Sequence, residues 1–165
     1  PTSDDFVDGA QAAGLRDDDI GHALVPFDFD GDGRLDLLVA NSNTAPRLYR
    51  NVTPLRRSLT VALHDPGQPG NVAGVGSRVA VTTSDRDTPT VGWITGSGSY
   101  ETSRPPEFHV GLGSNSTVKK IEVWWPGTAT PQTVVPAGKL EPVDRPLTKK
   151  GVNWPEQLSD AAGAG

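Results

Sequence analysis

The strongest chemical signal in the chain is the nonapeptide Asp28-Phe29-Asp30-Gly31-Asp32-Gly33-Arg34-Leu35-Asp36. Carboxylates stand at its positions 1, 3, 5 and 9, and Gly33 stands at position 6, where the backbone must turn sharply. Such carboxylates repel once they share a centre. Two charges ~4 Å apart cost roughly 4 kcal/mol at an effective dielectric near 20. A loop that gathers four of them therefore calls for a cation. Oxygen ligands without His or Cys select a hard ion, and a flexible cage of several oxygens suits Ca²⁺ better than Mg²⁺. The expected ligands are the side chains of Asp28, Asp30, Asp32 and Asp36, with the Arg34 carbonyl as a backbone ligand. The plain alternative is a solvated Asp/Gly turn that binds nothing, and four aspartates in this register argue against it.

The flanks decide which kind of loop this is. An EF-hand needs a bidentate Glu at position 12 and helices on both sides. Position 12 here is Val39. The flanks Ala23–Phe27 and Leu35–Ala40 are short apolar runs, and Pro26 opposes a helix on the entering side. The reading is strand, calcium loop, strand, with Asn41–Pro46 as a turn and Leu48–Val52 as a third strand.

Composition agrees with a β protein. Gly and Pro number 19 and 15 among 165 residues, and only 35% are hydrophobic, which favours many short strands joined by turns. The length allows one ordinary domain or two small ones. No apolar run approaches the ~20 residues of a membrane span. Without cysteine there are no disulfides, thiolate chemistry or Cys-based zinc sites. The net charge of −5 is unevenly spread: residues 1–36 hold ten Asp against Arg16 and Arg34, and the remainder carries thirteen Lys/Arg against ten acids. Neither part has the basic, aromatic-interleaved surface of a nucleic-acid binder. A calcium loop of this kind points to an extracellular or secreted setting. The start at Pro1 suggests a processed or excised piece.

The second half reads as alternating strands. Leu59, Val61 and Leu63 share one face, and Val79 and Val81 another. Val91, Trp93 and Thr95 alternate with Gly92 and Ile94, and Phe108, Val110 and Leu112 follow. Ile121, Val123 and Trp125 oppose Lys120, Glu122 and Trp124, and Gln132–Val135 closes the series. Some seven evenly spaced strands imply an antiparallel sandwich or barrel. The expected domains are residues 1–57, a strand–loop–strand unit; 58–144, the β domain; and 145–165, a partly disordered tail with a short helix begun by Pro155.

Two resemblances follow from these residues. Gly21-His22-Ala23, Asp28–Asp36, Leu38–Asn41 and Arg47–Asn51 resemble one FG-GAP/VCBS-type repeat, the kind that forms propeller blades and carries Ca²⁺ between two strands. Asn71 with Gly74–Val79, then Gly96–Tyr100, Phe108–Gly113 and Val123–Gly127, are similar in order to the ASPIC/UnbV domain. Val72 departs from family variants that carry Arg after the Asn. The resemblance implies a C-terminal portion of a cartilage-acidic-protein- or UnbV-like chain, with the other propeller blades as partners. Propellers need about four to eight blades, and this chain has sequence for one, so a fragment is expected.

Other side chains are weaker candidates. Asp17-Asp18-Asp19 could hold a second cation, although a solvated loop is the commoner state of such a run. His22, His64 and His109 lack ligand spacing, and His22 reads as a surface residue. Trp93 and Trp124 could form an aromatic sugar-binding face or pack in a core. No P-loop, G-x-S-x-G, G-x-G-x-x-G or H-E-x-x-H occurs. The readings are a calcium-binding, non-catalytic interaction module with an unidentified protein or glycan partner; a role in enediyne biosynthesis, implied by the UnbV resemblance alone; and a carbohydrate-binding module.

Overall fold

The computed structural model describes residues 7–15, 18–54, 56–98, 102–113 and 117–136, together with the backbone of the strand Leu147–Thr148. All of its regular structure is strand, and no helix among the described residues is long and apolar enough to cross a membrane. By contacts the chain forms two units. One comprises Pro1–Leu55 with Ser97–Arg104, and the other Arg56–Gly96 with Pro105–Gly165. The sequence-expected helix at Pro155 and the tail apart from Leu147–Thr148 lie outside the described residues, as do Asp17 and Tyr100.

In the first unit, β1 (Gly21–Phe27), β2 (Asp36–Asn41) and β3 (Arg47–Tyr49) form an antiparallel sheet in that order. The strand–loop–strand reading holds. Pro26 is accommodated within β1 opposite Leu37, and β1 lies at the sheet's edge, the place where a strand tolerates a missing N–H. Register puts Val25, Leu38 and Leu48 in one row and Leu24, Val39 and Arg47 in the next. Because neighbouring rows point to opposite faces, both faces of this sheet carry apolar side chains. Among its described residues, however, only Asp36 is buried. A two-faced apolar sheet with one buried residue among those described has the composition of an internal layer.

The second unit has that core. Its strands are β4 (Arg57–His64), β5 (Arg78–Thr83), β6 (Thr90–Trp93), β7 (Glu107–Gly113), β8 (Val118–Trp124), β9 (Gln132–Val134) and β10 (Leu147–Thr148). They make two open sheets, β10-β4-β7 and β6-β5-β8-β9. The sequence left sandwich and barrel open. The open sheets settle on a sandwich-like arrangement, antiparallel except for β10, which runs parallel to β4 through Leu63 and His64. This last strand falls inside the stretch the sequence reading gave to a tail. Inward residues follow the predicted alternation: Val61 and Leu63, Val79 and Val81, Val110 and Leu112, and Ile121, Val123 and Trp125 share one cluster with Ile94 and Val118. The Trp125 indole N–H is satisfied by the Gln132 side-chain oxygen at 3.1 Å.

The loop before β5 is built by one side chain. Asn71 donates from Nδ2 to the Val75 carbonyl at 2.9 Å and accepts the Val75 N–H on Oδ1 at 2.8 Å. The chain then turns through Gly74 and Gly76, both at positive φ. Gly92 has a different reason to lack a side chain. A Cβ there would lie 2.1 Å from Phe108 Cε2 and 2.4 Å from Cδ2, so the Phe108 ring lies against the Gly92 backbone. Gly92→Ala is expected to cost about 2–3 kcal/mol as overpacking. In a Phe108→Leu background the same change should cost under about 1 kcal/mol, which urea-unfolding midpoints of the four-member cycle would show. Additive costs would rule out the Phe108 contact as the cause.

Candidate metal centre

The loop between β1 and β2 is organised from its first residue. Asp28 Oδ1 accepts the N–H groups of Gly31 and Asp32 at 2.9 and 3.1 Å, and Oδ2 accepts that of Gly33 at 2.8 Å. Three consecutive amides bent around one carboxylate require tight turns, and Gly31 and Gly33 supply them with φ of +74° and +84°. The turn expected at Gly33 is there, joined by a second at Gly31.

Asp36 closes the loop from the other end. It is 1% exposed, the most buried of the unit's described residues, and opposes Phe27 in the β1–β2 register. Its Oδ2 accepts the Phe29 N–H at 3.0 Å, and its Oδ1 accepts the Asn51 N–H at 2.7 Å. A buried carboxylate is tolerated only when hydrogen-bonded in this way. Asn51 returns the support, donating from Nδ2 to the Leu35 carbonyl at 3.1 Å. β3 therefore ends at Tyr49, short of the Val52 expected from sequence, because Arg50 and Asn51 leave the ladder to meet the loop.

The four predicted carboxylates divide into two groups. Asp28, Asp30 and Asp36 bring one oxygen each within 4.8 Å of one another, and among the described residues this is the one group of three or more His, Cys, Asp or Glu that could share an ion. Asp32 turns instead to Arg34. Its Oδ1 accepts the Arg34 backbone N–H at 2.9 Å, and its Oδ2 accepts from Nε at 2.9 Å and from the guanidinium NH2. Arg34, expected to contribute only a carbonyl, uses its side chain here, also donating to the Thr53 carbonyl at 2.7 Å. Arg50 donates to Asp30 Oδ2 from Nε at 2.7 Å and lies 3.9 Å from Asp32. Sequence reasoning assigned no role to Arg50 or Asn51. Their partners lie 15 to 20 residues away, and only the β2–β3 hairpin brings them together.

Electrostatically the loop holds four carboxylates and two guanidinium groups, leaving two negative charges unmatched. The Arg34 guanidinium holds the Asp32 carboxyl below its ordinary value of 3.8. A lowered folded-state value means that the pair contributes above the usual carboxylate range and is lost only as pH falls through the lowered value. In Arg34→Ala the Asp32 midpoint should rise toward the ordinary value, a change readable by NMR titration of the side-chain carboxyl. An unchanged midpoint would mean that Arg34 is not the cause.

The other candidates separate cleanly. Asp19 is paired with Arg47 at 2.6 Å, and Asp18 and Asp19 form no cation-sized cluster with the described residues. His22 Nδ1 lies 2.9 Å from the Ser42 hydroxyl, as suits a surface histidine. His64 and His109 lie on β4 and β7, with His109 opposite Thr60, and the three histidines form no shared cluster.

An all-β chain made of an acidic-loop sheet and a sandwich-like unit is the class these observations define. Within it, residues 67–146 match the family model described as ASPIC and UnbV. The match begins in the Asn71 loop and extends past the turn after Trp125 and β9, and so includes the motif residues whose structural work is described above. A search of curated proteins finds no match to the chain.

Proposed function

We propose that the chain is a calcium-clipped, non-catalytic interaction module of an extracellular protein, in which an ASPIC/UnbV domain follows a single FG-GAP/VCBS-like repeat. The observation that carries the reading is the convergence of the Asp28, Asp30 and Asp36 carboxylates on a loop already turned by Asp28. These three residues would hold the ion. Asp32 would join them once Arg34 is displaced, and the Arg34 carbonyl would complete the oxygen set. The unmatched charge of two equals that of the ion, and flexible carboxylate ligands suit Ca²⁺. The ion would supply no chemistry to a substrate; it would fix the β1–β2 connection.

The partners follow from the first sheet. With apolar rows on both faces and one buried residue among those described, it suits a layer packed between similar sheets, which is the environment of a propeller blade. Isothermal titration calorimetry of the full chain with CaCl₂ tests the metal reading, with MgCl₂ and Asp30→Ala as controls. Calcium binding that survives Asp30→Ala, or none in the native chain, would overturn it.

A further inference from the structure

The outer face of the β6-β5-β8-β9 sheet carries a group that nothing above uses. Register sets Arg78 of β5 opposite Trp93 of β6 on one side and Trp124 of β8 on the other. Directly opposed residues share a face, and here it is the face away from Val79, Val81 and Val123, which are in the core. The three side chains form one row, Trp93–Arg78–Trp124, with outer positions about 10 Å apart.

The row is unusual in two ways. The Arg78 guanidinium lies 3.8 Å from the Trp124 ring centroid, stacked on its face, and Arg78 Nε is buried without a hydrogen-bond acceptor. Among the described residues no carboxylate pairs with it. Glu122, which register places on that face opposite Ala80, is taken by Lys120 at 2.9 Å. Trp93 meanwhile leaves 56% of its surface to solvent beside exposed Val91. A cation–π contact offsets part of the cost of partly desolvating a cation, but an arginine fork still favours a planar anion.

We propose that this row is a binding platform for an acidic sugar, its ring stacked on the Trp93 indole and its anionic group held by Arg78. Charge and shape choose this occupant. One unpaired cation matches one anionic group, and an indole on an open sheet face offers an apolar plane to a sugar's C–H face. A nucleic acid would need a run of cations along the backbone, whereas this face offers Arg78 and a Lys120 already paired with Glu122. An aromatic face shared by Trp93 and Trp124, the form in which sequence suggested a sugar site, is not what the register builds, because Arg78 covers Trp124. The platform is independent of the calcium loop.

The test is calorimetric titration of the full chain with three probes: an oligogalacturonate for the carboxylate, a carrageenan (sulfated galactan) oligosaccharide for the sulfate ester, and cellohexaose as the neutral control. Binding of at least one acidic probe, at least tenfold tighter than the neutral one, is expected. Trp93→Ala and Arg78→Gln should each weaken it tenfold or more. Arg78→Lys, which keeps charge and loses the fork, should weaken it less than Arg78→Gln. Trp93 is exposed, so Trp93→Ala should keep the urea midpoint and the calcium response, and it carries the test if Arg78→Gln fails to fold. The proposal is overturned by equal binding of neutral and acidic probes, by no binding of either acidic probe, or by Trp93→Ala without effect. Preferential binding of a single-stranded oligonucleotide, or self-association of the native chain abolished by Trp93→Ala, would also overturn it.

Discussion

Gly74→Ala is expected to destabilise the second unit by about 3 kcal/mol, the sum of a backbone and a packing penalty. Gly74 sits at φ +62°, where an L side chain costs about 1–2 kcal/mol. Its Cβ would also stand 2.8 Å from Trp125 Cζ3 and 3.2 Å from Leu63 Cδ1. Both neighbours are buried core residues, with Trp125 only 4% exposed, so neither can step aside into solvent. Gly76 separates the two penalties. Its φ is +91°, yet a Cβ there would meet nothing nearer than Pro126 Cγ at 3.7 Å, an ordinary contact. Gly76→Ala should therefore show backbone strain alone, and Gly74→Ala should exceed it by about 1–3 kcal/mol. In a unit of this size the Gly74 variant should lose more than about 10 °C in Tm. Equal midpoints for the two variants would show that close approach to Trp125 is not what reserves position 74 for glycine.

This pair also shows why the Asn71–Val79 motif, read from sequence as turn and strand, has a structural meaning. Asn71 bends the loop onto Val75, Gly74 lets the backbone close over Trp125, and Val79 begins the buried run of β5. The alternation in each strand was legible because period 2 with one buried face leaves a direct trace in residue type. That trace gives the facing set of each strand, but not which strands are neighbours. Local pattern left Trp93 and Trp124 between an aromatic binding face and a core. Their common neighbour Arg78 needed the registers of β6 and β8 on β5. Gly92 looked like an ordinary alternating position because the reason for it, the Phe108 ring, belongs to the other sheet.

The acidic loop divides in the same way. The turn at Gly33 and the grouping of Asp28, Asp30 and Asp36 follow from spacing within nine residues. The Asp32–Arg34 pairing was equally local, yet spacing alone did not reveal it. An arginine two residues from a carboxylate can compete with an ion for it, and which one prevails depends on whether the ion is there. Arg50 and Asn51 were invisible for a different reason: a hairpin delivers them, and β3 is only three residues long.

That competition makes calcium the second large effect. At a free concentration of 100 times its dissociation constant, Ca²⁺ should stabilise the folded loop unit by about 2.7 kcal/mol. Asp30→Ala is the variant that isolates the ion's contribution. Among the described residues, no backbone N–H of the loop donates to Asp30; its partner is the exposed Arg50 side chain. Removing it leaves the Asp28 turn intact, deletes an exposed ion pair worth about 0–1 kcal/mol and relieves repulsion from Asp28 and Asp36. Without calcium the variant should match the native chain within about 1 kcal/mol, and with calcium it should fall behind by most of the 2.7 kcal/mol. Asp36→Ala cannot serve this purpose. Its carboxylate holds the Phe29 and Asn51 amides, charged-group hydrogen bonds worth about 1.5–3 kcal/mol each, so its loss should damage the unit at any calcium concentration. Arg34→Ala should act in the opposite sense. With Asp32 released, calcium no longer has to displace a guanidinium, and affinity should rise by a few-fold. Hydrogen exchange at the Gly31, Asp32 and Gly33 amides reads the loop directly. Protection that rises with calcium in the native chain and not in Asp30→Ala would meet the expectation. Protection unchanged by calcium in both would leave the loop as an Asp28-turned hairpin connection with no ion in its working state.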